Sequence, residues 1–488
     1  HGHSLNDYDA RFSWPGGFSL AAVLVSFAGL SNALAFLRWF PLVIELLYMA
    51  PLLVIARYSG VGKRAAWLGV ILYYANNWIY QDYFSPQALN YLFFLVVVAA
   101  VLACWQPARQ EDTRIGGLVR TYAAKIRALF TRSRLQGLDA STEWSSNRTL
   151  AILVLISLIF LASSMSHQLT PYALLLALTA CLFTRRLGRP ELIVVVFLFA
   201  FGWLSLGASN YWIGHLAQIF GSIGNLSGTL GANVSKRVTG SLSHRLIVDA
   251  RILETLGLYS LGVIGALRRR PSSRALEVLA GVPLILLFAQ SYGGEGLLRA
   301  VLFGLPFISL LAASALLPNR VGPMRALVGK IPFRGAGRRV LSSAVAVVVL
   351  VMAFGTVVVR GGNDSYESYT NGEFYAVSYV YNHITPGETL GLVAANLPFG
   401  YRDVSLIKLF VAEGNKTAPR TVRPASFVNH HVAWVILSQS QEAWGVNVAG
   451  YPVTWEASLE SSLLSEGYKI TKAWPTATVL RAPKSITG

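Results

Sequence analysis

Charge is scarce in this chain. Asp, Glu, Lys and Arg make up 13% of its 488 residues, against about 25% in an average soluble protein. With a hydrophobic share of 54%, that shortage excludes an ordinary water-soluble globule of this length. Cysteine is scarcer still. Cys104 and Cys181 both lie inside apolar runs, so no disulfide framework is implied. CxxC and HExxH are absent, and with them the common zinc motifs. GxSxG, Walker A and Rossmann patterns do not occur in a fitting context, and neither internal repeats nor low-complexity segments are present.

What the chain has instead are apolar runs near the roughly 20-residue length that crosses a bilayer core. They read as spans at 32–56, 65–80, 88–105, 149–165, 171–184, 191–207, 252–267, 276–290, 297–318 and 341–359. Residues 15–29 are a weaker apolar stretch that suits the membrane interface. The chain begins with His1 and shows no signal-peptide pattern, so it reads as N-terminally incomplete or processed.

A formal charge of +18 would suit a nucleic-acid partner if it were spread over a soluble surface. It is not. From Gly361 onward nine Lys/Arg stand against ten Asp/Glu, so the excess lies in the membrane part. There it occupies Arg57 to Arg64, residues 106–148, Arg185/Arg186/Arg189, Arg268–Arg270 with Arg274, and 319–339. Placing these basic loops in the cytoplasm requires strict alternation, which ten spans satisfy. Residues 1–31, 81–87, 166–170, 208–251, 291–296 and everything after 360 then fall outside. The expected fold is an α-helical polytopic membrane protein with about ten transmembrane helices, an interfacial helix and a small C-terminal extracytoplasmic α/β domain. Its parts are 1–31, 32–359 and 360–488, set in the cytoplasmic membrane. In the last part, 432–439 and 477–482 read as strands, and 458–470 as a helix stopping at Gly467 before another strand.

The outer segments hold the unusual residues. QDYFSPQ (81–87) sets Gln81, Asp82 and Gln87 around Ser85 and Pro86, which suit an N-cap and a first helical turn. Asp82 would sit near a positive helix N-terminus. Capping alone explains the Ser and Pro; a floor that binds a hydroxyl-rich ligand would explain the Asp and both Gln. SHQLTP (166–171) repeats the design with His167, Gln168 and Pro171. In SYGGEGLLRA (291–300), Glu295 and Arg299 stand four apart, as an intrahelical ion pair or as a headgroup site, since an Arg one turn into a span faces a cavity or a partner. Residues 208–251 carry Lys236, Arg237, His244, Arg245 and Arg251. Such cations suit phosphate or anionic lipid headgroups. NDYDARFSWPGGF (6–18) carries Asp7, Asp9 and Arg11 ahead of Trp14-Pro15-Gly16.

The arrangement resembles the GT-C superfamily of integral-membrane glycosyltransferases. Four features carry the resemblance. In RFSWPGGFSLAAVLVSFAGLSNALAFLRWF (11–40), Gly29, Ser31 and Arg38 match a G-x-S…R approach to the second span. QDYFSPQ and SHQLTP sit at outer helix ends, Arg299 follows an outer loop near the last spans, and a small outer α/β domain ends the chain. The resemblance implies a transferase that moves a sugar from a polyprenyl-phosphate donor, with inversion, to a cell-envelope glycan, glycolipid or protein acceptor. It implies a catalytic carboxylate from the first outer loop, here Asp9 or Asp7. Asp82, Gln81, Gln87, His167, Gln168, Arg237, Arg245, Glu295 and Arg299 are its candidate sugar and phosphate contacts. Some members of the superfamily need a divalent metal; the residues here assign no ligand for one and no other cofactor. The partners implied are the lipid-linked sugar, the acceptor and the bilayer, with no nucleic acid. A transporter or flippase of lipid-linked glycans, and a glycan ligase or polymerase of another fold, are the competing readings.

Overall fold

The structure, a computed structural model, describes residues 10–30, 37–79, 81–104, 146–215, 240–268, 274–289, 295–317, 336–399, 407–412 and 422–487, with Gly228, Gly231 and Val238 besides. It forms two compact units. One is a helical bundle made from 7–233 and 253–356. The other joins 234–252 to 357–488 and contains the β-sheet.

Five helices of the described residues are long and apolar enough to cross a membrane: Phe40–Tyr58, Pro86–Cys104, Asn147–Ser166, Gly296–Leu316 and Ser342–Gly361. Shorter apolar helices are Gly16–Phe27, Thr170–Phe183, Glu191–Leu206 and Ala275–Phe288. The helix Gly296–Leu316 is buried along nearly its whole length. Its Phe303 and Phe307 pack on Tyr91 and Phe94 of Pro86–Cys104. Peripheral helices turn large apolar side chains outward instead: Leu42, Leu46 and Leu47 on one, Leu350, Val351 and Phe354 on another. Apolar surface of this extent would aggregate in water and is solvated by acyl chains. The fold is that of a multi-pass helical membrane protein with a small C-terminal α/β domain.

Three expected spans differ from the observed helices. The reading of 32–56 as one span fails because Arg38 and Trp39 lie in a turn; the helix starts at Phe40, with Pro41 in its first turn. Arg38 is exposed in that turn and not inside a span. The span at 65–80 is a helix over Lys63–Tyr74. It stops where Asn76 turns its side-chain amide back to the Leu72 carbonyl at 2.8 Å. The span at 276–290 is broken into Ala275–Gly281, a 3-10 turn over Val282–Ile285 and Leu286–Ala289. Pro283 at its centre cannot donate to the ladder. The long segment 208–251 was expected as a loop, yet Leu242–Arg268 is one continuous helix.

In the second unit five strands pair in the order β2-β1-β3-β5-β4. They are β1 (Thr389–Leu392), β2 (Lys408–Val411), β3 (Trp434–Ser438), β4 (Lys469–Trp474) and β5 (Ala477–Arg481). β2, β1 and β3 run parallel; β5 and β4 are antiparallel to their neighbours. Alternate residues feed two cores. Trp434, Ile436 and Val479 meet the helix Asn371–His383 on one face. Val435, Leu437 and Leu480 meet Pro424–Asn429 and Trp455–Ser465 on the other. Thr370 and Glu373 form a reciprocal capping box at the start of Asn371–His383, and the same Glu373 accepts the Ser440 N–H at 2.8 Å. Buried Gln441 accepts the Val393 and Ala394 N–H groups at 2.6 and 3.1 Å and donates to the Ile436 carbonyl at 2.9 Å. One amide thus closes the ends of β1 and β3. Gly467, at φ +94°, ends the Trp455–Ser465 helix and leads into β4, as its sequence suggested.

Segment 240–251 docks within this second unit. Arg251 sends two guanidinium nitrogens to the Val359 carbonyl, at 2.7 and 3.1 Å. Ser241 donates its N–H to the Asn447 carbonyl at 2.9 Å. His244 lies 2.9 Å from the Tyr366 hydroxyl. Arg251 therefore satisfies a carbonyl near the C-terminal end of Ala336–Gly361, where intrahelical donors run out and positive charge is favoured.

Candidate functional site: one end of the helical bundle

Several helices of the bundle start at one end, and their first residues are small or Pro. A Cβ placed on Gly16 would meet the Ser166 hydroxyl at 2.6 Å, and one on Gly17 would meet the Pro86 ring at 2.9 Å. The two glycines therefore let the start of Gly16–Phe27 rest on both polar helix ends at once. Trp203 holds the preceding turn by donating its indole N–H to the Ser13 carbonyl at 3.0 Å. QDYFSPQ, SHQLTP and SWPGG, far apart in the chain, are neighbours in space.

The Pro86–Cys104 helix begins as its sequence suggests: Ser85 Oγ accepts the Ala88 N–H at 3.3 Å, and Pro86 is the first helical residue. Asp82 and Gln87 are buried, Gln81 half-buried. Gln87 is 4% exposed, and neither its amide nitrogen nor its oxygen finds a hydrogen-bond partner among the described residues. A buried polar group left so costs about 1–3 kcal/mol. Asn90, one turn further, spends its nitrogen on the Pro86 carbonyl at 2.8 Å.

Tyr91 donates to the Leu302 carbonyl at 3.1 Å; its ring lies 6.0 Å from Phe303, and Phe94 lies 6.4 Å from Phe307. These contacts advance together along both chains, so Pro86–Cys104 and Gly296–Leu316 run in the same direction. One turn back from Tyr91 stands Gln87, and one turn back from Phe303 stands Arg299. Phe40 on Phe84 (5.0 Å) and Tyr48 donating to the Ala88 carbonyl (2.7 Å) set Phe40–Tyr58 in the same sense. On that helix Glu45 accepts the Asn77 amide at 2.8 Å.

His167 caps the helix that follows it. Its Nδ1 accepts the Leu169 and Thr170 N–H groups at 3.2 and 3.1 Å and lies 3.0 Å from the Thr170 hydroxyl. Nδ1 must then be unprotonated, with the ring proton on Nε2. Burial, and then the charge of Arg299, push the imidazole down to about 3. His167 is neutral here, a hydrogen-bond donor through Nε2 and not a cation for phosphate. Gln168 beside it is half-buried. Arg299 is buried and pairs with half-buried Glu295 at 2.6 Å. This is the intrahelical pair that the four-residue spacing allowed; it leaves Arg299 set at the helix start with its charge partly balanced.

The remaining candidates separate. Arg245 is exposed on the first turns of Leu242–Arg268, in the other unit. Asp7, Asp9 and Arg237, like Ser31 and Lys236, lie outside the described residues. Among the described residues no three His, Cys, Asp or Glu side chains gather as metal ligands. Glu45, Asn77 and Asn90 are polar residues of this end that the sequence reading did not single out for a site. An Asn pair ahead of an aromatic helix end was the available signal.

The arrangement defines a class: a multi-pass membrane protein with five helix N-termini, at Gly16, Phe40, Pro86, Thr170 and Gly296, directed to one polar end of its bundle. Each contributes positive partial charge, and together with Arg299 they favour an anion there. No family model matches the chain, and no curated protein matches it. Among solved structures it is similar to ArnT from Cupriavidus metallidurans. The likeness is 14% in identity over 97% of this chain and 88% of that chain. The TM-score is 0.47 for the structure bound to undecaprenyl phosphate and 0.46 for the apo state.

Proposed function

We propose that the protein is a membrane glycosyltransferase of the GT-C type, which moves a sugar from a polyprenyl-phosphate donor to a cell-envelope glycan, glycolipid or protein acceptor at the outer face of the cytoplasmic membrane. The observation that carries the reading is that Gln87 and Arg299 each lie buried in the first turn of a bundle helix. One offers a buried amide with its hydrogen bonds unspent, the other a buried cation at a helix start. A phosphate bearing a polar sugar, tethered to an apolar chain, needs that combination beside lipid.

In this reading Arg299 and the five N-termini stabilise the phosphate as it leaves. Gln87, Gln81, Asp82 and Nε2 of His167 hold sugar hydroxyls. Asp9 or Asp7 takes the proton from the acceptor hydroxyl; that oxygen attacks the anomeric carbon, the bond to the phosphate oxygen breaks, and the configuration inverts. Should a divalent metal take part, it would neutralise phosphate charge; the described residues offer no fitting ligand set, so no step is routed through it.

The test is sugar transfer in proteoliposomes holding the purified chain, a polyprenyl-phosphate sugar and envelope-derived acceptor. Undecaprenyl phosphate, the ligand named for the ArnT structure, serves as competitor. Transfer that falls at least about 100-fold in Arg299→Ala and clearly in Gln87→Ala is expected; equal turnover in both would remove the site. The broken helix Ala275–Ala289 favours the competing flippase reading, for which labelled lipid would cross the bilayer without forming a glycosidic bond.

A further inference from the structure

Glu254 is an acid on the bundle part of Leu242–Arg268, away from the residues named above. Its neighbour is Thr356 on Ala336–Gly361, whose Oγ1 is in hydrogen-bonding contact with both the Ala75 carbonyl oxygen and Glu254 Oε1. A hydroxyl carries one proton. The Ala75 carbonyl can only accept. It also stands at the C-cap of Lys63–Tyr74, among the last carbonyls, which no intrahelical N–H reaches. Thr356 must therefore donate to Ala75, and its oxygen turns a lone pair toward Glu254. An ionised carboxylate there would set two acceptors face to face. A neutral acid removes the conflict: Glu254 donates to Thr356, and Thr356 donates to Ala75.

The segment so held is the one that leads into the candidate site. Trp78 donates its indole N–H to Thr255, beside Glu254, at 3.1 Å. On the other side Asn77 donates to Glu45 at 2.8 Å. Gln81 and Asp82 follow within a few residues. We propose that Glu254 is a positioning residue that acts as a neutral acid, fixing residues 75–78, and through them Gln81 and Asp82, by the relay Glu254 to Thr356 to Ala75. Its effect on turnover rests on the glycosyltransferase reading; its effect on the segment does not.

Ionisation of Glu254 would reverse the relay and free the Ala75 carbonyl. Other ionisable residues lie along the same three helices. On its own helix they include Asp249 and Arg251, the latter bonded to the Val359 carbonyl. Arg360 follows Thr356 on the second helix. Tyr73 and Tyr74 end the third, with Tyr74 donating to the Glu45 backbone carbonyl at 2.7 Å. Glu45 lies across the held segment.

The experiment is hydrogen exchange of the peptide spanning 75–85 in the full-length protein in nanodiscs, at mildly acidic and alkaline pH, with infrared difference spectra over the same range. Once the intrinsic base-catalysed rise in exchange is divided out, the wild-type protection factor should be about tenfold lower in alkali than in acid, the change expected when one buried hydrogen bond is lost. A protonated-carboxyl band should disappear in step. Glu254→Gln, whose amide N–H replaces the acid proton, should stay protected at both pH values and lack the band. Glu254→Leu and Thr356→Val should be unprotected at both, and Thr356→Ser should follow wild type. Glu254→Gln behaving like Glu254→Leu, or a band unchanged in Glu254→Gln, would overturn the relay. Wild type that shows this exchange pattern yet transfers no sugar would overturn the enzymatic reading alone.

Discussion

The Nδ1 atom of His167 accepts the Thr170 N–H at 3.1 Å and so spends its lone pair on the helix that carries Pro171. A histidine at a membrane boundary is easily read as a base or a phosphate contact. This one cannot take a proton on Nδ1 without breaking its cap, and burial beside Arg299 opposes a charge on the ring.

His167 should therefore add acid sensitivity to folding without adding a titration near neutrality to activity. Its folded value, about 3, lies below the roughly 6.5 of a free imidazole. The stability it contributes is full above the unfolded value and is lost as pH falls from there toward 3. Thermal midpoints in detergent, followed from neutral to acid pH, should fall less steeply in His167→Asn, which keeps an acceptor for the N–H groups. An equal slope in the variant would contradict the capping role.

Glu388 and Arg481 hold β5 to the end of Asn371–His383 and the start of β1. The guanidinium meets both carboxylate oxygens, at 2.5 and 3.0 Å, and lies 4.5 Å over the Trp434 ring, whose indole N–H also reaches Glu388 at 3.0 Å. Burial works to raise the Glu388 carboxyl, but these partners and the Thr385 N–H outweigh it and hold it at about 2. The pair's stabilisation is present above the unfolded carboxylate value, about 4.3, and is lost as pH falls toward 2. Arg481→Ala should cost about 1–2 kcal/mol at neutral pH, less than a fully buried pair because water reaches the guanidinium. Hydrogen exchange in β3 and β5 of the full-length protein measures it.

Glu456 has the opposite sign. Burial, and then Glu442, Glu460 and Glu373, raise it to about 9. Its stabilising contribution is present below the unfolded value near 4.3 and is lost as pH rises toward 9. Glu456→Gln should protect the Trp455–Ser465 helix from exchange at slightly alkaline pH and change little in mild acid. A variant less protected than wild type at alkaline pH would show that the carboxylate has a partner it needs.

Local signals were legible and distant ones were not. Ser85–Pro86 announced a helix start, Gly467 a stop, and short apolar runs the strands at 434–438 and 477–481, because each rests on neighbours in sequence. β1 and β2, four residues each, are too short to show a period. The first ten residues of the Leu242–Arg268 helix were hidden because Arg245, Asp249 and Arg251 break the apolar pattern there. At the candidate site, the polar helix starts were visible, but no local pattern showed that Gly16 and Gly17 bring them together. Glu254, Thr356 and Ala75 meet across most of the chain, and no periodicity within one segment encodes such a contact. Asp7 and Asp9, proposed as the base, fall outside the described residues.

The most direct measurement is formation of a glycosidic product from a polyprenyl-phosphate sugar by the purified chain in proteoliposomes, with wild type, Arg299→Ala and Gln87→Ala side by side. Transfer by wild type, reduced at least about 100-fold by loss of the Arg299 cation and lowered by loss of the Gln87 amide, is the expected result. Lipid-linked sugar that crosses the bilayer or stays unchanged, with no new glycosidic bond in wild type, would contradict it.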